Sequence, residues 1–278
     1  MTPPHPPGAP SNLPPRRRVS VHAIERATPR VVCLRLRGVE LSGFGIEAPG
    51  VHIKLILPPP GVARTPVPLR YEGRRAIFED GVAPPFLRTY TPSRFDAARL
   101  ELEVEMLIHG DGQASNWVQN AKVGDEIMVA GPRGGWDVPR DGDWYLVAAD
   151  DTAIPAARQV LGALPPKPRF IFFEVVNELE QRPTGASPWP VSWLFRGHDA
   201  SLAGRLLEGH IRGLTLPGGR GYVWIACEAG AVRRIRKHLI EDRWLDAGQL
   251  VTRGYWKLGV ADHPDGDYGQ DGLDHHGP

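Results

Sequence analysis

Hydrophobic and polar positions alternate along the first half of the chain. "VSVHAIERAT" from Val19 and "RVVCLRLRG" from Arg30 carry apolar residues at nearly every second position, the period of a strand with one buried face. "VHIKLILP" at 51–58 continues the pattern, and "AIF" at 76–78 is a shorter piece of it. "LELEVEMLIH" at 100–109 is the cleanest case, with Leu100, Leu102, Val104 and Met106 on one face. "DEIMVAGPRG" adds a strand that stops at a Gly-Pro step. Short strands divided by Pro and Gly turns predict a small antiparallel barrel or sandwich. Within it, "GQASNWVQNAKVG" at 112–124 brings Ala114, Trp117, Val118 and Ala121 to helical spacing and predicts a short inserted helix.

The period changes near Trp144. "WYLVAAD" is an unbroken apolar run, as in a strand covered on both faces. "TAIPAARQVLGAL" predicts a helix that tolerates Pro155 in its first turn. "RFIFFEVV" and "GYVWIACEAG" are two more buried strands, "AVRRIRKHLIEDRW" is a helix, and "LVTRGYWKLG" closes as a strand. Strands alternating with helices predict parallel β-α-β units in an open, doubly wound sheet. The chain therefore divides into a Pro-rich, disordered tail at 1–15, a barrel domain at 16–140, an α/β domain at 141–261 and a disordered tail at 262–278. No internal repeat is visible.

Composition narrows the functional classes. A length of 278 residues suits two domains, and 41% hydrophobic residues suffice for two cores. A net charge of +1 gives no support to nucleic-acid binding, so any electropositive site is local. Cys33 and Cys227 each sit in an apolar run and read as buried thiols. The first residues lack the apolar core of a signal peptide, and no apolar run approaches membrane-spanning length. These features predict a cytoplasmic protein with no stable membrane association. Neither a catalytic triad nor a metal-ligand pattern stands out. His263, His275 and His276 beside aspartates in the last segment are read as part of a disordered tail.

"RTYTP" at 88–92 carries the first candidate chemistry. Arg88 offers a planar fork of donors that suits a pyrophosphate. Tyr90 offers a ring to a flat heterocycle. Thr89 and Thr91 offer hydroxyl and amide donors, so the segment suits a flavin dinucleotide, or else is an exposed strand end. "HGDGQASNWV" then places Gly110, Gly112, Ala114 and Ser115 just ahead of the predicted helix. Small residues let a phosphate approach backbone N–H groups at a helix N-terminus. Ser115 adds a hydroxyl, to a phosphate or as an ordinary N-cap.

Six segments occur in one order over residues 19–261: "RTYTP", "HGDGQASNWV", "GDEIMVAGPRG", "WYLVAADDTAIPAARQVL", "CEAGAVRRIRKHL" and "RGYWKLG". Their succession resembles the siderophore-interacting protein family, flavin-dependent ferric-siderophore reductases within the ferredoxin-NADP reductase superfamily. The resemblance implies a ferredoxin reductase-like fold: an antiparallel β-barrel for FAD, then an α/β doubly wound parallel sheet for NAD(P)H. It implies FAD on Arg88, Tyr90 and Thr91, on the His109–Ser115 loop and near Trp117. His109 is equally well read as a strand-end histidine that hydrogen-bonds the loop. It implies the nicotinamide at "AADDTAIPA", with Thr152 and Ala153 at the helix start. Asp150 and Asp151 are cofactor contacts or helix caps. Glu228 faces the cofactors or anchors Arg233 or Arg234. Tyr255 and Trp256 cover the flavin or pack the domain interface. Family members tend to carry basic residues at positions like Lys54, Arg133 and Lys257, so these three serve an anionic ferric siderophore or are unrelated surface charges. The run 233–239 is a solvated face or meets the 2′-phosphate of NADPH. This chain departs from the family pattern at Gln113, Ala149 and Cys227.

The chemistry implied is reduction of chelated Fe(III), with electrons from NAD(P)H or from ferredoxin, by a monomer. Hard oxygen ligands hold Fe(III), so reduction loosens the complex without protein ligands to iron. Two rival readings share the motifs. One is a general NAD(P)H–flavin or ferredoxin-type reductase with another acceptor, and the other is a siderophore-binding module without turnover.

Overall fold

A computed structural model of the chain describes residues 14–73, 75–110, 112–185, 189–261 and 263–264. Most of the two terminal segments expected to be disordered lies outside these residues. The chain forms two compact units, Met1–Gly135 and Trp136–Pro278. The division falls a few residues ahead of the position expected from the change of hydrophobic pattern, because Trp136 and Val138 already pack into the second unit's core.

Unit 1 runs through β1 (Arg16–Thr28), β2 (Val31–Arg37), β3 (Val51–Leu57), β4 (Arg70–Glu72), β5 (Arg75–Ile77), β6 (Phe86–Tyr90), β7 (Pro92–Asp96), β8 (Glu101–Leu107), α1 (Gln113–Asn120) and β9 (Glu126–Gly134). Seven of these strands form one sheet in the order β6-β3-β9-β1-β2-β8-β7, and β4 pairs with β5 alone. Every pairing in the large sheet is antiparallel. Its two edge strands, β6 and β7, are separated in the chain by Thr91 alone. The sheet must therefore curl until its edges meet, which makes it a barrel.

Alternation fills that barrel. Leu34 and Leu36 of β2, Ile53, Leu55 and Leu57 of β3, and Leu102, Val104 and Met106 of β8 are fully buried, while their in-between neighbours face outward or are half-covered, except Ile56, which is buried in a separate small cluster with Met128 and Ala130. Each such side chain contributes about 1.5–3 kcal/mol of burial. Leu100 is only partly buried beside this core and takes a left-handed φ of 47°, so the strand face predicted from its spacing begins at Leu102.

Unit 2 contains β10 (Trp144–Asp150), α2 (Ile154–Ala163), β11 (Arg169–Val175), β12 (Ser192–Phe195), α3 (Arg205–Gly213), β13 (Gly221–Glu228), α4 (Ala229–Glu241) and β14 (Leu250–Trp256). The strands lie in the order β12-β11-β10-β13-β14, all parallel. Every residue of β10 is buried, as its unbroken apolar run predicts. Tyr145, Val147 and Ala149 pack with α2, whereas Trp144, Leu146 and Ala148 pack with α3 and α4. Helices thus cover both faces. β12 and α3 were not expected from the sequence. β12 is four residues long and follows a Pro-containing loop, and α3 contains two glycines that mute its helical signal.

The order of strands reverses beside β10: the chain moves outward to β11 and β12, then returns to the other side as β13. Ligands of open α/β sheets bind at the carboxyl ends of the strands flanking such a switch point.

Candidate functional site

In unit 1 the candidate residues are set out by the β3–β6 pairing. Ile53 lies opposite Tyr90, Lys54 opposite Thr89 and Leu55 opposite Arg88. Directly opposed residues project to the same face. Arg88 and Tyr90 therefore share the face of buried Ile53 and Leu55, and Lys54 and Thr89 share the other. Tyr90 packs against the barrel core, and burial pushes its phenol well above the ordinary range, with Arg88 a smaller opposing influence. It remains a neutral ring. Thr91 is buried at the junction with β7.

The Arg88 guanidinium lies 5.7 Å from the centroid of the Phe86 ring and donates to the Leu87 carbonyl at 2.6 Å and to Gln113 Oε1 at 3.1 Å. Gln113 is the first residue of α1. The two segments singled out in the sequence thus converge, although 25 residues separate these side chains.

The turn into α1 is built by small residues. Gly110 has φ 47°, in the left-handed region, and Gly112 is the N-cap with no side chain to occupy the helix end. The first N–H groups of a helix have no acceptor within it, and they carry partial positive charge. Ser115 is buried, and its hydroxyl both accepts from His109 N–H at 3.1 Å and donates to His109 C=O at 3.0 Å. That hydroxyl closes the turn. It does not stand open toward a phosphate, so the group Ser115 can offer is its backbone N–H. The His109 backbone thereby ties the end of β8 to the helix. Ala114 is buried, and Trp117 packs partly against the core on the same helix. A guanidinium fork beside a helix N-terminus that no side chain caps is a donor set that fits a pyrophosphate, and the adjacent tyrosine ring fits a flat heterocycle. These residues fit FAD.

Lys54 and Arg133 come together on the other face. Lys54 Nζ donates to Thr89 Oγ1 at 2.6 Å. On β9, Ala130 lies opposite Lys54 and Arg133 opposite His52, with a register shift between them. One extra residue at Gly131–Pro132 makes this bulge, and Gly131 takes φ 122°, where a Cβ would meet the His52 carbonyl oxygen at 3.2 Å. Without the bulge, Arg133 would project away from the Lys54 face.

In unit 2 the candidates cluster at the carboxyl ends of the strands. Asp150 ends β10, and its Oδ1 accepts from Thr152 N–H at 3.0 Å and from the Thr152 hydroxyl. Its Oδ2 accepts from Trp256 Nε1–H at 2.7 Å. Burial first, then the neighbouring Asp151 carboxylate, pushes the Asp150 carboxyl up to about 7, against the opposing pull of Thr152, Trp256 and Arg196. Asp151 is buried with Arg196, whose Nη2 reaches its Oδ2 at 2.9 Å, and Arg182 donates to the Asp151 carbonyl at 2.6 Å. Neither arginine was expected from the sequence, since Arg182 reaches Asp151 only through the β11–β12 connection and Arg196 only through the pairing of β12 with β11. The two aspartates therefore organise the β10 turn, and neither caps α2.

Glu228 ends β13 and caps α4, accepting from Ala231 N–H at 2.8 Å, and its other oxygen takes Leu258 N–H at 3.4 Å. Arg234 pairs with Glu208 at 2.6 Å, so Glu228 is not its anchor. Of the two helices that begin beside the switch point, α4 is closed by the Glu228 carboxylate, while α2 starts at Ala153 with no side-chain cap. At the start of α2 the Thr152 and Ala153 N–H groups are already taken by Asp150, and Pro155 has none, so the N–H groups of the buried Ile154 and Ala156 are what this helix end has left for a phosphate. Cys227 is fully buried, and burial with the nearby carboxylates keeps its thiol well above the ordinary range. Cys33 is half-buried, and both cysteines are free thiols. Tyr255 packs partly into the α2-side core, and Lys257 is exposed just past β14. Among the described residues, no group of three or more His, Cys, Asp or Glu side chains is arranged to hold a metal ion.

A barrel with a phosphate-type donor set, followed by a doubly wound sheet, is the plan of a flavoprotein reductase of the ferredoxin reductase type. The particular family is the siderophore-interacting proteins, to which this chain belongs. Residues 20–136 match the siderophore-interacting FAD-binding domain, and residues 142–259 match the siderophore-interacting protein domain. The chain is 28% identical over 245 residues to the NADPH-dependent ferric-chelate reductase of Escherichia coli, covering 86% of this chain and 92% of that protein. It is 28% identical over 229 residues to the ferric vibriobactin reductase ViuB of Vibrio cholerae, covering 81% and 83%. The crystal structure of a siderophore utilization protein from T. fusca superimposes with a TM-score of 0.77 at 32% identity, covering 90% of this chain and 95% of that one.

Proposed function

We propose that this protein is an NAD(P)H-dependent, FAD-containing reductase of ferric siderophores that acts in the cytoplasm as a monomer. The observation that carries the reading is the meeting of Arg88 with the first residue of α1 at 3.1 Å. It joins a bidentate cation and a helix N-terminus in one unit, a combination that recognises a pyrophosphate and has little other use at a strand edge. The names of the relatives in Escherichia coli and Vibrio cholerae supply the substrate class, a ferric chelate, and the former supplies the donor.

Arg88 and the N–H groups at Gln113–Ser115 would hold the FAD pyrophosphate. Tyr90 would present its neutral ring to the flavin, with the buried Thr91 beside it. The α2 N-terminus would take the nicotinamide phosphates. A bound flavin supplies the conversion between hydride transfer and single-electron transfer. The chain's own contribution is binding and charge: Lys54 and Arg133 share one face of unit 1 and would attract an anionic ferric complex whose oxygen donors already wrap the iron, and Lys257 at the end of β14 is the basic residue unit 2 offers to such a complex. Reduction to Fe(II) then weakens that complex.

The test is an absorption spectrum of the purified protein, followed by anaerobic titration with NADPH and NADH. Fe(II) release is then compared with a ferric siderophore, free flavin or ferredoxin as partner. A flavin spectrum that bleaches with NAD(P)H, and Fe(II) formed from the ferric siderophore, are expected. A colourless protein that takes up no added FAD would refute the proposal. A yellow one that reduces only free flavin would make it a general flavin reductase.

A further inference from the structure

Trp256 and Asp150 are 106 residues apart and meet at 2.7 Å. Trp256 is the last residue of β14, and the exposed Lys257 follows it directly. The indole is half-buried, and the carboxylate that holds it is 1% exposed. We infer that Asp150 is a positioning residue: by gripping the indole of Trp256 it fixes the end of β14, so that Lys257 is presented to an anionic ferric chelate in one geometry while Asp150 is ionised. This rests on the ferric-chelate reading.

The donor pattern carries the argument. An indole N–H and a backbone N–H can only donate, and the Thr152 hydroxyl donates as well. An ionised carboxylate accepts from all of them. A proton on Asp150 has one place to go without breaking a bond, Oδ1, where the Thr152 hydroxyl can turn and accept it. The Trp256 bond then becomes neutral-to-neutral and loses about half its strength.

Charged groups around Asp150 set where this happens. Asp151 follows it on the same turn, and Glu174 lies in register with it on β11. Glu174 is held by the N–H groups of Gly204, Leu206 and Leu207. Arg196, just past β12, is the nearby cation, and Cys227 and Glu228 lie at the end of β13. With burial, this company places the Asp150 carboxyl near neutrality, so its ionisation varies across the physiological pH range.

The experiment follows the Trp256 indole ¹H–¹⁵N resonance from pH 6 to 8.5, assigned by its absence in Trp256→Phe. In parallel it measures binding of a redox-inert gallium(III) complex of a hexadentate tris-catecholate ligand. In the wild type the resonance should titrate with a midpoint near 7, and the complex should bind on the order of fivefold more weakly at the acid end. In Asp150→Asn, a near-isosteric change, both should be flat with pH. In Trp256→Phe the affinity should be lowered and equally flat. A wild-type indole that does not titrate, or an affinity whose pH dependence survives in Asp150→Asn, overturns the inference alone. A wild type that binds no gallium complex at any pH refutes the ferric-chelate reading and this inference with it.

Discussion

Replacing Arg88 with alanine tests the flavin site most directly. The guanidinium donates to the Leu87 carbonyl at 2.6 Å and to Gln113 Oε1 at 3.1 Å, both neutral acceptors. Neither contact lies in the core, so the apoprotein should lose no more than about 1 kcal/mol of stability. A phosphate placed in the same fork would make charge-assisted bonds together contributing about 1.5–3 kcal/mol. At about 1.4 kcal/mol per factor of ten, Arg88→Ala should raise the Kd for FAD roughly 10- to 100-fold. Arg88→Lys keeps the charge, loses the fork and should fall between. The assay is calorimetric titration of FAD into apoprotein, with thermal unfolding of each apo variant as control. An unchanged Kd in Arg88→Ala, with an unchanged melting curve, would refute the assignment of Arg88 to the pyrophosphate.

Other perturbations follow from the same structure. Gly204 precedes α3 at φ 75°, and a Cβ there would lie 2.2 Å from that of Ala231, so Gly204→Ala should destabilise unit 2 by about 2 kcal/mol or more in urea unfolding. Glu228→Ala removes the cap of α4 and should cost about 1 kcal/mol by the same measurement. Leu34→Ala empties a fully buried site in the barrel and should cost about 2–5 kcal/mol. The Asp150 carboxyl is raised in the folded state to about 7, so the stability it contributes is full below its unfolded value near 3.8 and is lost as pH rises through 7. Relative to the wild type, Asp150→Asn should therefore gain melting temperature between about pH 4 and 7. A difference that is constant with pH would contradict the shift.

What the sequence determined by itself is what one strand or helix decides alone. Alternation at Leu102, Val104 and Met106 requires only the pleat of a strand, and it names the buried face without knowledge of any partner. The unbroken run of β10 likewise announces cover on two sides. "RTYTP" and "HGDGQAS" were each legible as phosphate-type chemistry, but only pairing β6 with β3 and seating α1 brings Arg88 to Gln113. Register decided the rest. Lys54 turns out to share a face with Thr89 and not with Arg88, and Arg133 reaches that face through the extra residue at Gly131–Pro132. The Ser115 hydroxyl, read from the sequence as a phosphate donor or an N-cap, closes on His109, because a hydroxyl buried in a tight turn binds the nearest backbone. The Asp151–Arg196 pair and the Asp150–Trp256 contact join residues far apart in the chain, and a buried carboxylate announces its partner by no local period. Local geometry is written in spacing of two or 3.6 residues, whereas the partners of a polar side chain are fixed only when distant strands align.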